Sequence, residues 1–251
     1  MPCAAPKAVN VSKSFRPAHA KGHLLSGTFT PTPTPQASLL PLHRPALRPP
    51  LDLPHRPLLL LHKPALDPRH RAHGQPARPR HPLYPETVRF VHDAKPSPAS
   101  FATERYFGVN AYVFSDAAGR ETLVRYRIEP AAGVQTLAAA ELARRDASYL
   151  FDELVPRLAG GPVVFRLTVQ VAGADDATVL WPEDREVVEL GLIGIEESKG
   201  EESLREQKEI VFDPVPRVTG VATSKDPLLD VRANVYLISG RQRREAEVAK
   251  A

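Results

Sequence analysis

The stretch that decides how this chain folds reads Asp226-Pro227-Leu228-Leu229-Asp230-Val231-Arg232-Ala233-Asn234-Val235-Tyr236-Leu237-Ile238-Ser239-Gly240-Arg241-Gln242-Arg243-Arg244. Aspartate followed by proline is a helix start signal: the carboxylate accepts from the first free amides, and proline at the first helical position forfeits no needed donor. A long helix is therefore predicted from Asp226 into the basic run that ends the stretch. Arg232 and Tyr236 are four apart and so share one face of it. A permanent guanidinium charge beside a phenol favours the phenolate of a group that otherwise ionises near pH ~10. Such a pair can ligate ferric iron; an amphipathic tyrosine at an interface is the ordinary alternative.

Composition bounds what surrounds this helix. A chain of 251 residues, 42% hydrophobic and 25% charged, can bury one sizeable core. The formal net charge of +4 and pI of 9.3 are unevenly placed along the chain, so charge alone does not argue for nucleic acid. The single cysteine, Cys3, rules out an intramolecular disulfide and a cysteine metal cage, and fits a reducing compartment. No apolar run approaches the ~18 residues needed to span a bilayer, and the first residues lack the apolar core of a signal peptide. A soluble, cytoplasmic protein without a membrane partner is the expectation. Ala249-Lys250-Ala251 does not match the peroxisomal Ser-Lys-Leu address, although peroxisomal import by another route stays open.

Outward from the helix, the chain divides into three parts. Residues 1–35 form an N-terminal arm whose segment 23–30 has the apolar and β-branched mix of a strand following a glycine turn. His19 falls just before it and reads by itself as a solvated loop histidine. Residues 36–85 are rich in proline, with Pro41, Pro45, Pro49, Pro50, Pro54 and Pro57 spaced too closely for a helix or a central strand, and they read as a disordered basic insert. Docking to proline-binding modules is a second reading of it; nucleic-acid binding is disfavoured because Tyr84 is its one aromatic residue.

Residues 86–251 have the composition of a folded domain. Segments 107–115 and 121–128 read as a hairpin around Asp116-Ala117-Ala118-Gly119, segments 137–145 and 147–158 as helices, and Gly160-Gly161-Pro162 as the stop of the second. Val163, Phe165, Leu167, Val169 and Val171 alternate with polar residues as a half-buried strand does. Segment 187–195 reads as another strand and 196–209 as a charged, solvated crossing. The pattern is α+β: an antiparallel sheet with flanking helices, whose edges closure into a barrel would protect.

The run Ser100-Phe101-Ala102-Thr103-Glu104-Arg105-Tyr106-Phe107-Gly108-Val109-Asn110-Ala111-Tyr112 is followed by Val124-Arg125-Tyr126-Arg127, Trp181-Pro182, Val188-Glu189-Leu190-Gly191 and Phe212-Asp213-Pro214. Together with Asp226…Arg232…Tyr236, these blocks closely resemble the haem catalase family, in particular its small catalases and catalase-like peroxidases, over roughly residues 87 to 245. The segment from Arg16 to Thr30 resembles that family's distal-histidine segment. The resemblance implies an antiparallel β-barrel core with added helices around one haem b. It implies Tyr236 as the proximal iron ligand, Arg232 holding it as phenolate, and Asp226 supporting that arginine. It implies Arg243 and Arg16 as haem-propionate contacts and His19 as the distal acid–base. Asn110 stands where large catalases carry a histidine, a difference that small catalase-like proteins share.

The implied activity is decomposition of hydrogen peroxide or an organic hydroperoxide, with His19 taking a proton from the peroxide and returning it to the departing oxygen. A homo-oligomer is compatible with the resemblance, since large relatives form tetramers. Between the distal-histidine segment and residue 87, none of the family's further barrel strands, distal asparagine or haem-stacking aromatics is recognisable, so the barrel is expected to be incomplete. Two functions follow: a haem catalase or peroxidase, or a non-catalytic remnant that folds poorly or binds haem without turnover.

Overall fold

A computed structural model describes residues 23–32, 96–116, 118–174, 176, 181–200, 202–216 and 218–245, together with the backbone of 58–61. Among these residues one eight-stranded antiparallel sheet dominates. Its strands are β1 (His23–Pro31), β2 (Leu58–Leu61), β4 (Tyr106–Phe107), β5 (Tyr112–Ser115), β6 (Glu121–Pro130), β8 (Val163–Val171), β9 (Val187–Ser198) and β10 (Val221–Thr223). They run in the order β10-β5-β6-β8-β9-β1-β2, with β4 also on β6, and curl into a half-barrel. A two-stranded ribbon pairs β3 (Ser97–Pro98) with β7 (Thr136–Leu137). The helices are α1 (Ala139–Leu142), α2 (Tyr149–Ala159), α3 (Glu202–Glu209) and α4 (Pro227–Glu245). None of the described helices is long and apolar enough to cross a membrane.

The period-2 pattern of β8 orients the whole sheet. Val124, Tyr126 and Ile128 of β6 pair with Val171, Val169 and Leu167, which puts apolar side chains of both strands on one face. Over one part of this face lies α2, whose buried Leu150, Phe151, Leu154 and Leu158 recur at helical spacing and pack on Phe101, Val163, Phe165 and Ile195. Phe101 meets Phe151 edge-on at 5.0 Å between ring centroids. Fully buried Phe165 alone contributes about 1.5–3 kcal/mol by leaving water. A second cluster, Phe114, Val124, Val169 and Val188, lies further along the sheet.

The glycine turn between β5 and β6 forms as read: Gly119 has φ 79° and donates to the Asp116 carbonyl, while the Asp116 side chain accepts from Ala118 and Arg120 amides. Segment 137–145 keeps only one helical turn, because Thr136 and Leu137 are drawn into pairing with Pro98 and Ser97. The charged crossing is more ordered than its composition suggests. Its first residues extend β9 to Ser198, where β1 supplies partners, and its remainder forms α3. Within 36–85, Leu58–Leu61 pairs with β1, and the other residues of that stretch lie outside the described residues.

β1 joins the sheet through close glycine contacts. A Cβ on Gly27 would fall 1.9 Å from the Gly194 carbonyl oxygen, and one on Gly191, at φ 158°, would fall 2.4 Å from that of Thr30. The obstacle at position 27 is backbone and cannot swing away. Replacing Gly27 by valine is expected to lower unfolding free energy by about 3 kcal/mol, read from urea denaturation. A variant as stable as the parent would mean that β1 does not sit in this register.

Candidate functional site

The site is assembled where the interrupted strand β4–β5 meets the start of α4. Tyr106 and Phe107 pair with Ile128 and Arg127, and pairing resumes with Tyr112 opposite Val124. Residues 108–111 thus stand against only 125 and 126 of β6, a bulge that throws the extra residues out of the ladder. Gly108 holds its base by donating to the Tyr126 carbonyl at 2.7 Å. Asn110, at the crest, is 4% exposed and reaches α4 instead of a neighbouring strand.

The start of α4 is built as the sequence predicts. Asp226 accepts from the Leu228 amide through Oδ1 at 2.9 Å, capping the helix, and its own amide donates to Ser224 Oγ. Its other oxygen, Oδ2, accepts from Asn110 Nδ2 at 3.0 Å. Asn110 Oδ1 in turn accepts from Arg232 Nη1, and Arg232 Nη2 donates to the Tyr236 hydroxyl at 3.3 Å. Four residues named from sequence are therefore brought into one chain of hydrogen bonds: Asp226, Asn110, Arg232 and Tyr236. Asp226 supports Arg232 through the Asn110 amide. That amide has one acceptor and one donor end, so it joins a carboxylate to a guanidinium without adding charge.

Tyr236 is half-buried, and on the neighbouring face of α4 Leu228, Val231 and Val235 are 54%, 57% and 53% exposed. An apolar strip beside a phenol polarised by arginine suits a flat apolar ring that carries a metal. Arg243 lies on the same side of α4 but is 2% exposed, and its guanidinium is engaged with Ser239, Gln207 and Ile210. Arg16 and His19 fall outside the described residues.

The family model described as catalase matches residues 83–250. The chain belongs to the catalase family. It is 35% identical over 169 residues to a catalase-related peroxidase of Mycolicibacterium paratuberculosis, covering 65% of this chain and 53% of the relative. A catalase-related peroxidase of Synechococcus elongatus is 29% identical, with 64% of this chain and 49% of the relative covered. The chain thus spans about half the length of these curated relatives. Its fold matches a fungal catalase at TM-score 0.51 and a bacterial catalase at 0.52, each at 22% identity and over 58% of this chain but only 32% and 31% of theirs. An α+β half-barrel is what such partial coverage of the catalase fold looks like.

Two residues of the surroundings carry no local signal in the sequence. Tyr112 donates its hydroxyl to the Pro214 carbonyl at 3.0 Å, tying the segment before α4 to the sheet. Burial pushes its phenol up, the Arg232 charge pulls it down, and Asp213 raises it. Arg125 lies 4.7 Å from the centroid of the Trp181 ring, and Gln170 beside it donates to the Pro182 carbonyl at 2.7 Å, so the loop before β9 is clipped onto β6 and β8. Both residues stand inside blocks shared with the family, yet their partners are too distant in sequence for spacing rules to find.

Because Asn110 and Asp226 act as one unit, their losses should not add. Asn110→Leu leaves the buried Asp226 carboxylate and the half-buried Arg232 guanidinium without this partner and is expected to cost about 1–3 kcal/mol, with Asp226→Ala in the same range. The double variant should fall short of the sum by about 0.5–3 kcal/mol in a urea-denaturation cycle; full additivity would show that the two are independent.

Proposed function

We propose that this chain carries the proximal half of a haem site, with Tyr236 as the iron ligand, and that the protein acts as a haem oxidoreductase on hydrogen peroxide or an organic hydroperoxide. The observation that carries the reading is the Arg232 guanidinium donating to the Tyr236 phenol while anchored through Asn110 to Asp226. A fixed cation at this oxygen stabilises the phenolate, the form that binds ferric iron. The donor set and the exposed apolar strip of Leu228, Val231 and Val235 both fit haem b. Haem, when bound, supplies the redox iron at which a peroxide O–O bond is broken.

The chain's own residues hold the ligand and move protons. Arg232 keeps the phenol oxygen of Tyr236 aligned and anionic. Asn110 holds the guanidinium plane, and Asp226 fixes the amide and caps the helix that bears the ligand. His19 is proposed to take a proton from the peroxide and return it to the departing oxygen, which calls for a neutral imidazole near pH ~7. Arg16 is proposed as a contact to a haem carboxylate. The family resemblance of the segment from Arg16 to Thr30 supports these last two roles.

A second reading is a haem-binding remnant without turnover. The proline-rich stretch 36–85, standing where the resemblance expects further barrel strands, favours it, and among the described residues β10 and β2 form the edges of the sheet. Haemin titration followed by peroxide addition separates the two. The expected result is one haem per chain with a ferric tyrosinate absorption spectrum, and haem affinity about tenfold or more weaker in Tyr236→Phe. Oxygen release or donor oxidation should fall about 10²-fold or more in His19→Ala. Unchanged haem binding by Tyr236→Phe would refute the ligand assignment, whereas haem binding without turnover would leave the remnant reading.

A further inference from the structure

The C-terminal half of α4 carries a second arrangement, distinct from the tyrosine pair. Arg243 is 2% exposed. Its Nε donates to the Gln207 carbonyl at 3.3 Å and its Nη2 to the Ile210 carbonyl at 2.6 Å. Its Nη1 donates to Ser239 Oγ at 2.8 Å, and the guanidinium lies 5.4 Å from the centroid of the Phe212 ring. Gln207 belongs to the last turn of α3, and Ile210 follows its end directly. The last carbonyls of any helix lack intrahelical donors and carry the negative end of its dipole. Beside this contact Gly240 packs on Val211, where a Cβ would come within 3.2 Å of the valine methyl.

We infer that Arg243 is the C-terminal cap of α3, supplied across the tertiary fold by α4, and is a positioning residue for the ligand helix instead of a clamp for a haem carboxylate. Each of the three guanidinium nitrogens donates to a neutral acceptor, two carbonyls and a hydroxyl, and the group is 2% exposed. The contact joins the crossing helix to the element that carries Arg232 and Tyr236, so both ends of α4 are pinned: Asp226 to Asn110 at the start, Arg243 to α3 at the finish. The anionic edge of any bound haem must then meet another cation.

The test has two arms, and only the second rests on the haem reading above. In the first, hydrogen exchange of amides 207–212 is followed in the parent, Arg243→Lys and Arg243→Met. The cap predicts at least tenfold faster exchange in Arg243→Met and a melting temperature lower by on the order of 5–10 °C. Arg243→Lys should give little rescue, because one ammonium cannot span the two carbonyls. In the second, affinities for ferric protoporphyrin IX and for its dimethyl ester are compared. A capping Arg243 leaves the ratio of the two affinities within twofold of the parent value in both variants. If Arg243 grips a carboxylate, the ratio collapses towards unity in Arg243→Met and survives in Arg243→Lys, while exchange at 207–212 stays at the parent rate; that outcome overturns the inference. Should Arg243→Met fail to fold, Ser239→Ala and Arg243→Lys carry the same comparisons. Should the parent bind no haem, the haem reading fails and the exchange arm still decides the cap.

Discussion

One amide holds the site together. Asn110 accepts from Arg232 and donates to Asp226, so a buried carboxylate and a half-buried guanidinium are linked through a neutral group that satisfies both. Removing one partner from such a network leaves a buried polar group unmet, which costs more than the bond itself is worth. The position of the Tyr236 phenol depends on this, because Arg232 is aimed by Asn110 before it reaches the tyrosine.

Geometry upstream makes the link possible. In an uninterrupted strand, residue 110 would belong to the ladder; the bulge against Arg125 and Tyr126 frees it. The sheet bearing the bulge is held by the two apolar clusters and by α2, while β1 is held through backbone approaches that only glycine at positions 27 and 191 permits. α4 is then fixed to the sheet by Asp226, to the crossing segment by Arg243, and indirectly through the Tyr112–Pro214 contact. Its middle, with Arg232 and Tyr236, is the part left facing outward with exposed Leu228, Val231 and Val235. On the proposed reading, a haem would meet the Tyr236 phenol with this apolar strip beside it.

Fold and site were legible to different depths. The helix start at Asp226 and the shared face of Arg232 and Tyr236 follow from rules that act within one turn, and both appear in the structure. The strand Val163–Val171 was readable from its period, and the turn at Gly119 from its residue types. The charged crossing is solvated as read, but its pairing and its helix were hidden, because charge reports only the solvated side of an element. Glu196 and Glu197 lie in β9, where Thr28 and Ser26 of β1 donate to them.

By itself the sequence determined most of the local elements and the α+β class, since periodicity, capping and turn chemistry each operate over a few neighbouring residues, while the order of its motif blocks carried the resemblance to the family. Only the tertiary structure decided that Asn110 and Asp226 meet across 116 positions, and that Arg243 ends against the carbonyls of α3. The physical reason is that a hydrogen-bond partner is selected by position in space. A bulge in one strand and the packing of two helices move those positions in ways that no local pattern encodes.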